Sequence, residues 1–433
     1  MAGTATAAAL RIAIVGVGPR GLSVFERICA NAGNDTDPVG VEVFLIDSTR
    51  VGTGAVWRTD QSPHLLMNTV AAQVTIFTDD TVEMDGPVDE GPSLYEWASF
   101  LTKLGNFAEL PDPMYAEARA LGPDTYPTRA LYGHYLRWAY EHIRDLHANT
   151  VRANEITATA LDVRDQNSGL QELELSTGAR IRDLDAVVLT QGHLALIGAD
   201  SDARSPAHAA RRLGLTYVAP ANAADVDTAE IPAGEPVLIR GLGLTFFDYL
   251  ALLTVGRGGS FGRVGGRLEY LPSGAEPVIL AGSRRGVPHR ARGANEKGVE
   301  GRHEPVLLDP ARIDELRKRA KRFGDVSFRR DVWPLVAREV ESVYYSALIA
   351  DRVSPRELRG FRARFLHAAT EPAAAAILDS LGIGPGQRWD WAAVADPARG
   401  RCYGSPAEFP HWQIEYLDLH AGDAGQGNES GPV

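Results

Sequence analysis

The chain has 433 residues, 44% of them hydrophobic and 23% charged, an ordinary globular composition with length for two or three domains rather than for a disordered chain. Acidic side chains outnumber basic ones by 56 to 44, and the net charge of -12 excludes a broad basic face for nucleic acid while leaving room for a local basic pocket. The two cysteines, Cys29 and Cys402, exclude a disulfide framework and a four-thiolate zinc site, and without CxxC spacing they exclude the dithiol flavin reductases.

No apolar run reaches ~18 residues, so no membrane helix is predicted. The opening MAGTATAAAL lacks the basic region of a secretion signal and reads as the short, loose leader of a cytoplasmic protein. RIAIV (11–15) is a continuous apolar run suited to a buried parallel strand. Gly16-Val-Gly18-Pro19-Arg20-Gly21 follows, then LSVFERICAN, with Leu22, Phe25, Ile28 and Cys29 on one helical face. VEVFLIDS is a second buried strand, ending at Asp47 and Ser48. In this strand–turn–helix–strand setting each glycine has a task. Gly16 allows the tight turn, Gly18 lets a pyrophosphate approach the main chain, and Gly21 lets the helix pack on the strand. The helix N-terminus adds free N–H groups and partial positive charge. Asp47 is placed to accept hydrogen bonds from an adenosine ribose.

Residues 49–92 read as a long loop whose apolar islands, HLLMN and QVTIF, hold it against something ordered. Helices are predicted at 93–104 and 128–146, and an antiparallel excursion at 151–163 and 171–176. DAVVLTQGH is predicted as another buried strand, ending at Gly192. An Ala- and Asp-rich linker covers 198–233. PVLIRGLGLTFFDYLALLT (236–254) then restarts the strand–turn–helix pattern, with Leu244 and Thr245 opening the helix and Phe246 where a third glycine would stand. A glycine-rich hairpin follows. VILAGSRRG (278–286) is predicted as a buried strand ending in Ser283-Arg284-Arg285. An acidic residue there would read a ribose 2′-hydroxyl; arginines pair with a 2′-phosphate. Helical patterns occupy 310–322, 332–350, 354–368 and 371–382, and the tail HAGDAGQGNESGPV reads as frayed.

Two dinucleotide turns imply two dinucleotides: FAD at Gly16, Gly18, Pro19, Arg20, Gly21, Asp47 and Ser48, and NADPH at Gly241, Gly243, Leu244, Thr245, Ser283, Arg284 and Arg285. Hydride then passes from nicotinamide to flavin. The predicted fold class is α/β, with two Rossmann-like dinucleotide-binding domains, a discontinuous FAD domain and a helical C-terminal region. The predicted division is a FAD domain at 1–197, a linker at 198–233, an NAD(P)H domain with an inserted hairpin at 234–305, and a helical region at 306–433 that returns toward the FAD domain. Met67 and Asn68 lie in the loop expected to cross the isoalloxazine, with Gln73 nearby. Arg129 opens a helix beside the expected flavin, and Gly192 marks where the backbone would pass it. The stretch 287–305 carries Arg290, Arg292, Lys297 and Arg302, a cationic loop in an acidic chain that suits a dicarboxylate substrate or cofactor phosphates. Asn295 is the predicted bridge between nicotinamide ribose and substrate, so that Asn295, Gln73 and Arg129 are the candidate catalytic residues. His64, His193 and His289 are too scattered for a metal site, and no Ser-His-Asp or Cys-His signature is present.

The series GVGPRG, HLLMN, PTRALYGHYLRW, VVLTQGH, GLGLTFFD and SRRG resembles the two-dinucleotide FAD/NAD(P)-binding flavoprotein family common in actinobacteria. More distantly it is similar to the flavin-dependent N-hydroxylating monooxygenases of ornithine and lysine. The resemblance covers most of residues 10–420. Members of the broader family N-oxidise L-aspartate to nitrosuccinate. The resemblance therefore implies a FAD- and NADPH-dependent monooxygenase in which a neutral amine attacks a C4a-hydroperoxyflavin. Its partners would be O2 and a small amine or amino acid, with no nucleic acid and no membrane; a homo-oligomer is compatible with this. It also implies a helical segment past position 433 that completes the flavin site. Two alternatives stand beside it: a Baeyer–Villiger or S-oxygenating monooxygenase, and a non-catalytic dinucleotide sensor that uses its helical third as a partner surface.

Overall fold

In the computed structural model, which describes residues 9–33, 40–194, 205–293, 295, 298, 303–405 and 407–425, the first strand β1 (Leu10–Val15) leads through the glycine turn into α1 (Pro19–Gly33) and back to β2 (Val41–Asp47). The two strands run parallel, Leu10 opposite Val41 and Val15 opposite Ile46. The chain passes through the long loop to α2 (Leu94–Leu104), α3 (Asp112–Ala120) and α4 (Arg129–Leu146). Ser93 and Thr128 are N-caps: Ser93 forms a capping box with Glu96, and the Thr128 hydroxyl accepts from the Leu131 amide. The helix α3 was not anticipated; its start at Asp112 with Pro113 following is a legible N-terminal signal.

β3 (Val151–Thr157) comes next, followed by β4 (Ala160–Asp165), β5 (Gln171–Leu175), β6 (Arg180–Leu184) and β7 (Ala186–Leu189). The main sheet has the order β3-β2-β1-β7, and β4, β5 and β6 form a separate sheet. Here the structure corrects the expected antiparallel excursion. β3 is parallel to β2, Val151 opposite Val41, and only β4–β6 are antiparallel. The break falls at Ala158, whose amide donates to the Asp47 carbonyl and so ends the parallel strand beside β2.

One face of the main sheet packs on α1, α2, α4 and the long loop, through Phe25, Leu45, Val51, Phe77, Trp97 and Tyr135. The other face, with Ala13, Val15 and Ile46, meets Leu173, Leu175 and Leu184 of the antiparallel sheet. The loop's apolar islands are thus part of the core, as their composition suggested.

The chain divides into two compact units, 1–239 with 244–280, and 240–243 with 281–433. The first unit continues with α5 (Pro206–Leu213), inside the stretch read as a linker. After it come β8 (Pro236–Arg240), α6 (Leu244–Leu253), β9 (Ser260–Val264), β10 (Arg267–Leu271) and β11 (Val278–Gly282). β9 and β10 form the expected hairpin, Phe261 opposite Tyr270. β8 and β11 are neighbours in a two-stranded sheet. Of the strands expected to be buried, β1 and β2 are and β11 is not, and β8 is open as well. Leu238 is 79% exposed, Leu280 54% and Val278 52%, while β7 stops at a half-exposed Leu189 rather than at Gly192. Apolar runs usually mean strands covered on both faces, and among the described residues these faces lack that cover.

The second unit is mostly helical: α7 (Pro310–Phe323), α8 (Trp333–Ile349), α9 (Pro355–Leu366), α10 (Glu371–Ser380), α11 (Trp391–Ala395) and α12 (Glu408–Gly425). Tyr345, Ile349, Phe361, Phe365, Leu378 and Ile383 form its core. α12 was missed, although Phe409, Trp412 and Tyr416 show helical spacing; residues 420–425 of the tail read as frayed belong to it, and 426–433 lie outside the described residues. Among the described residues no helix is long and apolar enough to cross a membrane.

Candidate functional site

The turn between β1 and α1 separates glycines the fold requires from one it does not. Gly16 has φ +86°, and a Cβ there would lie 2.7 Å from the Thr190 carbonyl oxygen. A Cβ on Gly21 would lie 2.4 Å from the Gly16 carbonyl oxygen. Gly18 is different: its Cβ would meet nothing closer than the Gly54 Cα at 3.8 Å, so an open space adjoins the main chain there. The first turn of α1 contains no acidic residue, and the amides of Arg20 and Gly21 sit at helix positions without intrahelical acceptors. Pro19 has no N–H to lose at this start. Arg20 and Ser48 are exposed. This is a cradle for an anion, with a gap at Gly18 of the kind a pyrophosphate needs.

Asp47 does more than its place at a strand end suggested. Its buried carboxylate accepts from the Val17 amide at 2.8 Å, and from the Thr49 amide and hydroxyl, each at 2.8 Å. It therefore clamps the glycine turn to the end of β2, with remaining lone-pair capacity for a ribose hydroxyl. Asp47→Ala should strand the Val17 and Thr49 amides and cost about 2–4 kcal/mol, read as a lowered melting temperature together with flavin loss. Unchanged stability would show that the clamp is dispensable.

The loop at 64–68 is joined to the start of α4. Leu66 bridges Thr128, the Met67 amide donates to the Pro127 carbonyl at 2.8 Å, and the Arg129 amide donates to Leu65 at 2.9 Å. Met67 is buried in the core, Asn68 is exposed, and Gln73 is half-buried in a short 3-10 turn, Ala71–Gln73. Arg129 is held fast. Its Nε donates to the Leu66 carbonyl at 3.1 Å, and its Nη2 meets both carboxylate oxygens of Asp248 on α6 at 2.8 and 2.7 Å. Asp248 lies in the second glycine motif, and sequence reasoning did not pair it with Arg129. Gly192 has φ +71° and open space at its Cβ position. The Cys29 thiol, pushed up to about 12 by burial, is no nucleophile at neutral pH.

The second glycine turn opens a cleft of about 750 Å³. The Gly241 amide, at φ +110°, donates to the Gly282 carbonyl at 2.7 Å. That bond sets the end of β8 against the end of β11, so Gly241, Gly243, Ser283, Arg284 and Arg285 line one cleft. Leu244 and Thr245 are the first, exposed residues of α6. Arg285 donates to the Val394 carbonyl at 3.1 Å, while its buried Nε has no partner among the described residues.

Beyond this cleft, Arg290 reaches α12: its Nε donates to the Tyr416 hydroxyl at 3.0 Å, and its guanidinium lies 5.6 Å from that ring's centroid. Arg292 is exposed, and Asn295 donates to the Gly298 carbonyl at 3.2 Å. Lys297 and Arg302 lie outside the described residues.

An α/β fold with a glycine cradle after its first strand defines the dinucleotide-binding class, and residues 13–194 match the family described as FAD-NAD(P)-binding. Over 98% of its length the chain is similar to proteins whose names specify nitrosuccinate formation. It is 47% identical over 430 residues to an L-aspartate N-monooxygenase (nitrosuccinate-forming) of Streptomyces davaonensis, covering 98% of this chain and 66% of that protein. A second such protein, from Streptomyces cremeus, is 47% identical over 431 residues, 98% of this chain and 64% of its own length. A nitrosuccinic acid synthase of Aspergillus oryzae is 45% identical over 426 residues, 98% of this chain and 62% of its own length. The chain thus spans 62–66% of the length of these relatives. A cyclohexanone monooxygenase from Rhodococcus sp. Phi1, solved with NADP+, is a remote likeness only, at 14% identity over 86% of this chain and 56% of that one, with a TM-score of 0.32.

Proposed function

We propose that the chain serves the FAD- and NADPH-dependent N-oxidation of an amino-acid amine, with L-aspartate as substrate and nitrosuccinate as product. The observation that carries this reading is the pair of turns, one with open space beside the Gly18 main chain and one opening a cleft edged by arginines, in a chain 45–47% identical to proteins of that activity. Bound flavin supplies oxygen activation, and NADPH supplies the reducing equivalents. The chain's own residues bind and orient. Gly16, Gly18, Pro19, Arg20 and Gly21 offer main-chain groups to the flavin pyrophosphate, and Asp47 and Ser48 border its ribose. Asn68, Gln73 and Gly192 border the isoalloxazine, with Met67 packing beneath. Arg284 and Arg285 take the 2′-phosphate. Arg290 and Arg292 suit the carboxylates of a dicarboxylic amino acid; Lys297 is assigned with them on sequence alone, and Asn295 is assigned to the substrate side. Arg129 is better read as a positioning residue, given its bonds to Asp248 and Leu66. Supply of NADPH fits a cytoplasmic location.

The substrate amine must be neutral to attack, so turnover should rise toward alkaline pH. The reading is tested on the nucleotide side by Arg284→Ala with Arg285→Ala. The pair should weaken NADPH-driven flavin reduction by about 10- to 100-fold and spare NADH-driven reduction. Equal losses with both nucleotides would count against the 2′-phosphate assignment.

A further inference from the structure

The cleft at the second glycine turn is lined by a basic side chain that the spacing of the motif does not single out. Arg240 is the last residue of β8, directly before Gly241, and it lines the cleft with Arg284, Arg285 and His289. Every ionisable side chain in that lining is basic, and no carboxylate is among them. Along β8 the half-buried residues are Val237 and Ile239, while Leu238 and Arg240 are exposed, so Arg240 falls on the open face of the strand. The Gly241-to-Gly282 hydrogen bond brings the Arg240 backbone to within about one strand spacing of Gly282 and Ser283, roughly 5 Å.

Among the described residues the side chains of Arg240 and Arg284 make no hydrogen bond or ion pair, in a chain with 56 acidic side chains and a net charge of -12. Like charges gathered without a counter-ion repel one another. Their convergence is relieved by a bound anion with several oxygens, and guanidinium groups match a phosphate in charge and in geometry.

We propose that Arg240 is a specificity-determining residue of this cleft: it joins Arg284 on the 2′-phosphate of the nucleotide and sets the preference for NADPH over NADH. The inference rests on the reading of the cleft as the NADPH site. It divides the 2′-phosphate between two strands, Arg240 from the end of β8 and Arg284 beyond the end of β11. Arg285 lines the cleft beside Arg284, one of its Nη groups held by the Val394 carbonyl.

The test measures binding of 2′,5′-ADP, 5′-ADP, NADPH and NADH to the intact chain by titration calorimetry, for wild type, Arg240→Ala and Arg240→Lys. Arg240 is exposed, so the variants should keep the wild-type melting temperature. Arg240→Ala should weaken 2′,5′-ADP and NADPH about 10- to 100-fold, with 5′-ADP and NADH unchanged. Arg240→Lys should recover part of the loss, because a lysine keeps the charge without the planar fork. Unchanged 2′,5′-ADP binding in Arg240→Ala overturns the proposal. Equal weakening of 2′,5′-ADP and 5′-ADP also overturns it, by placing Arg240 on the pyrophosphate. A wild-type chain that binds neither 2′,5′-ADP nor NADPH overturns the NADPH reading of the cleft and this inference with it.

Discussion

Gly16→Ala and Gly21→Ala are expected to lose both the fold of the first unit and its flavin, whereas Gly18→Ala should lose the flavin alone. The difference follows from what a methyl group would meet. At Gly16 it would force a left-handed backbone on alanine and press on the Thr190 carbonyl at 2.7 Å. At Gly21 it would lie 2.4 Å from the Gly16 carbonyl, a main-chain atom that cannot swing aside. Each change should cost about 3 kcal/mol or more. At Gly18 the nearest atom is 3.8 Å away and φ is not positive, so the protein itself accommodates alanine. Only a ligand lying against the main chain would object. Thermal melts paired with flavin absorbance near ~450 nm, the usual range for an oxidised flavin cofactor, separate the outcomes. A Gly18→Ala protein that retains flavin would remove the ligand from that turn.

Arg129→Ala is expected to be strongly destabilising. It leaves the Asp248 carboxylate with 12% of its side chain exposed and without its cation, and it frees the Leu66 carbonyl. Removing one member of a largely buried pair costs about 3–5 kcal/mol, much of it the penalty of the stranded charge. Arg129→Met combined with Asp248→Leu should recover most of that loss. The double-mutant cycle then measures the coupling directly. If Arg129→Ala instead abolished turnover at an unchanged melting temperature, Arg129 would act on bound cofactor or substrate and not as the tie between α4 and α6.

The parts of the fold legible in the sequence were those governed by local chemistry. Ser93 and Thr128 announce helix starts because their hydroxyls satisfy amides only three residues away. Gly16 through Gly21 announce a phosphate turn because the strand before and the helix after are both adjacent. What stayed hidden depends on partners far along the chain. Nothing near Arg129 points to Asp248, 119 positions away. Nothing near Arg290 points to Tyr416, 126 positions away. Asp47 looked like a ribose ligand, and its use as a clamp on Val17 needed the turn in three dimensions. The exposure of Leu238 and Leu280 was unreadable for a related reason: an apolar strand records a need for cover without saying what provides it.

The most direct measurement is a two-stage reaction of the flavin-loaded chain. NADPH or NADH is added without oxygen while flavin absorbance is followed. Air is then admitted with and without L-aspartate, and nitrosuccinate is sought by mass spectrometry. The expected result is faster bleaching with NADPH than with NADH, and nitrosuccinate only where L-aspartate is present. Flavin that stays oxidised under NADPH, or that bleaches and reoxidises without any product from L-aspartate, would contradict the proposed function.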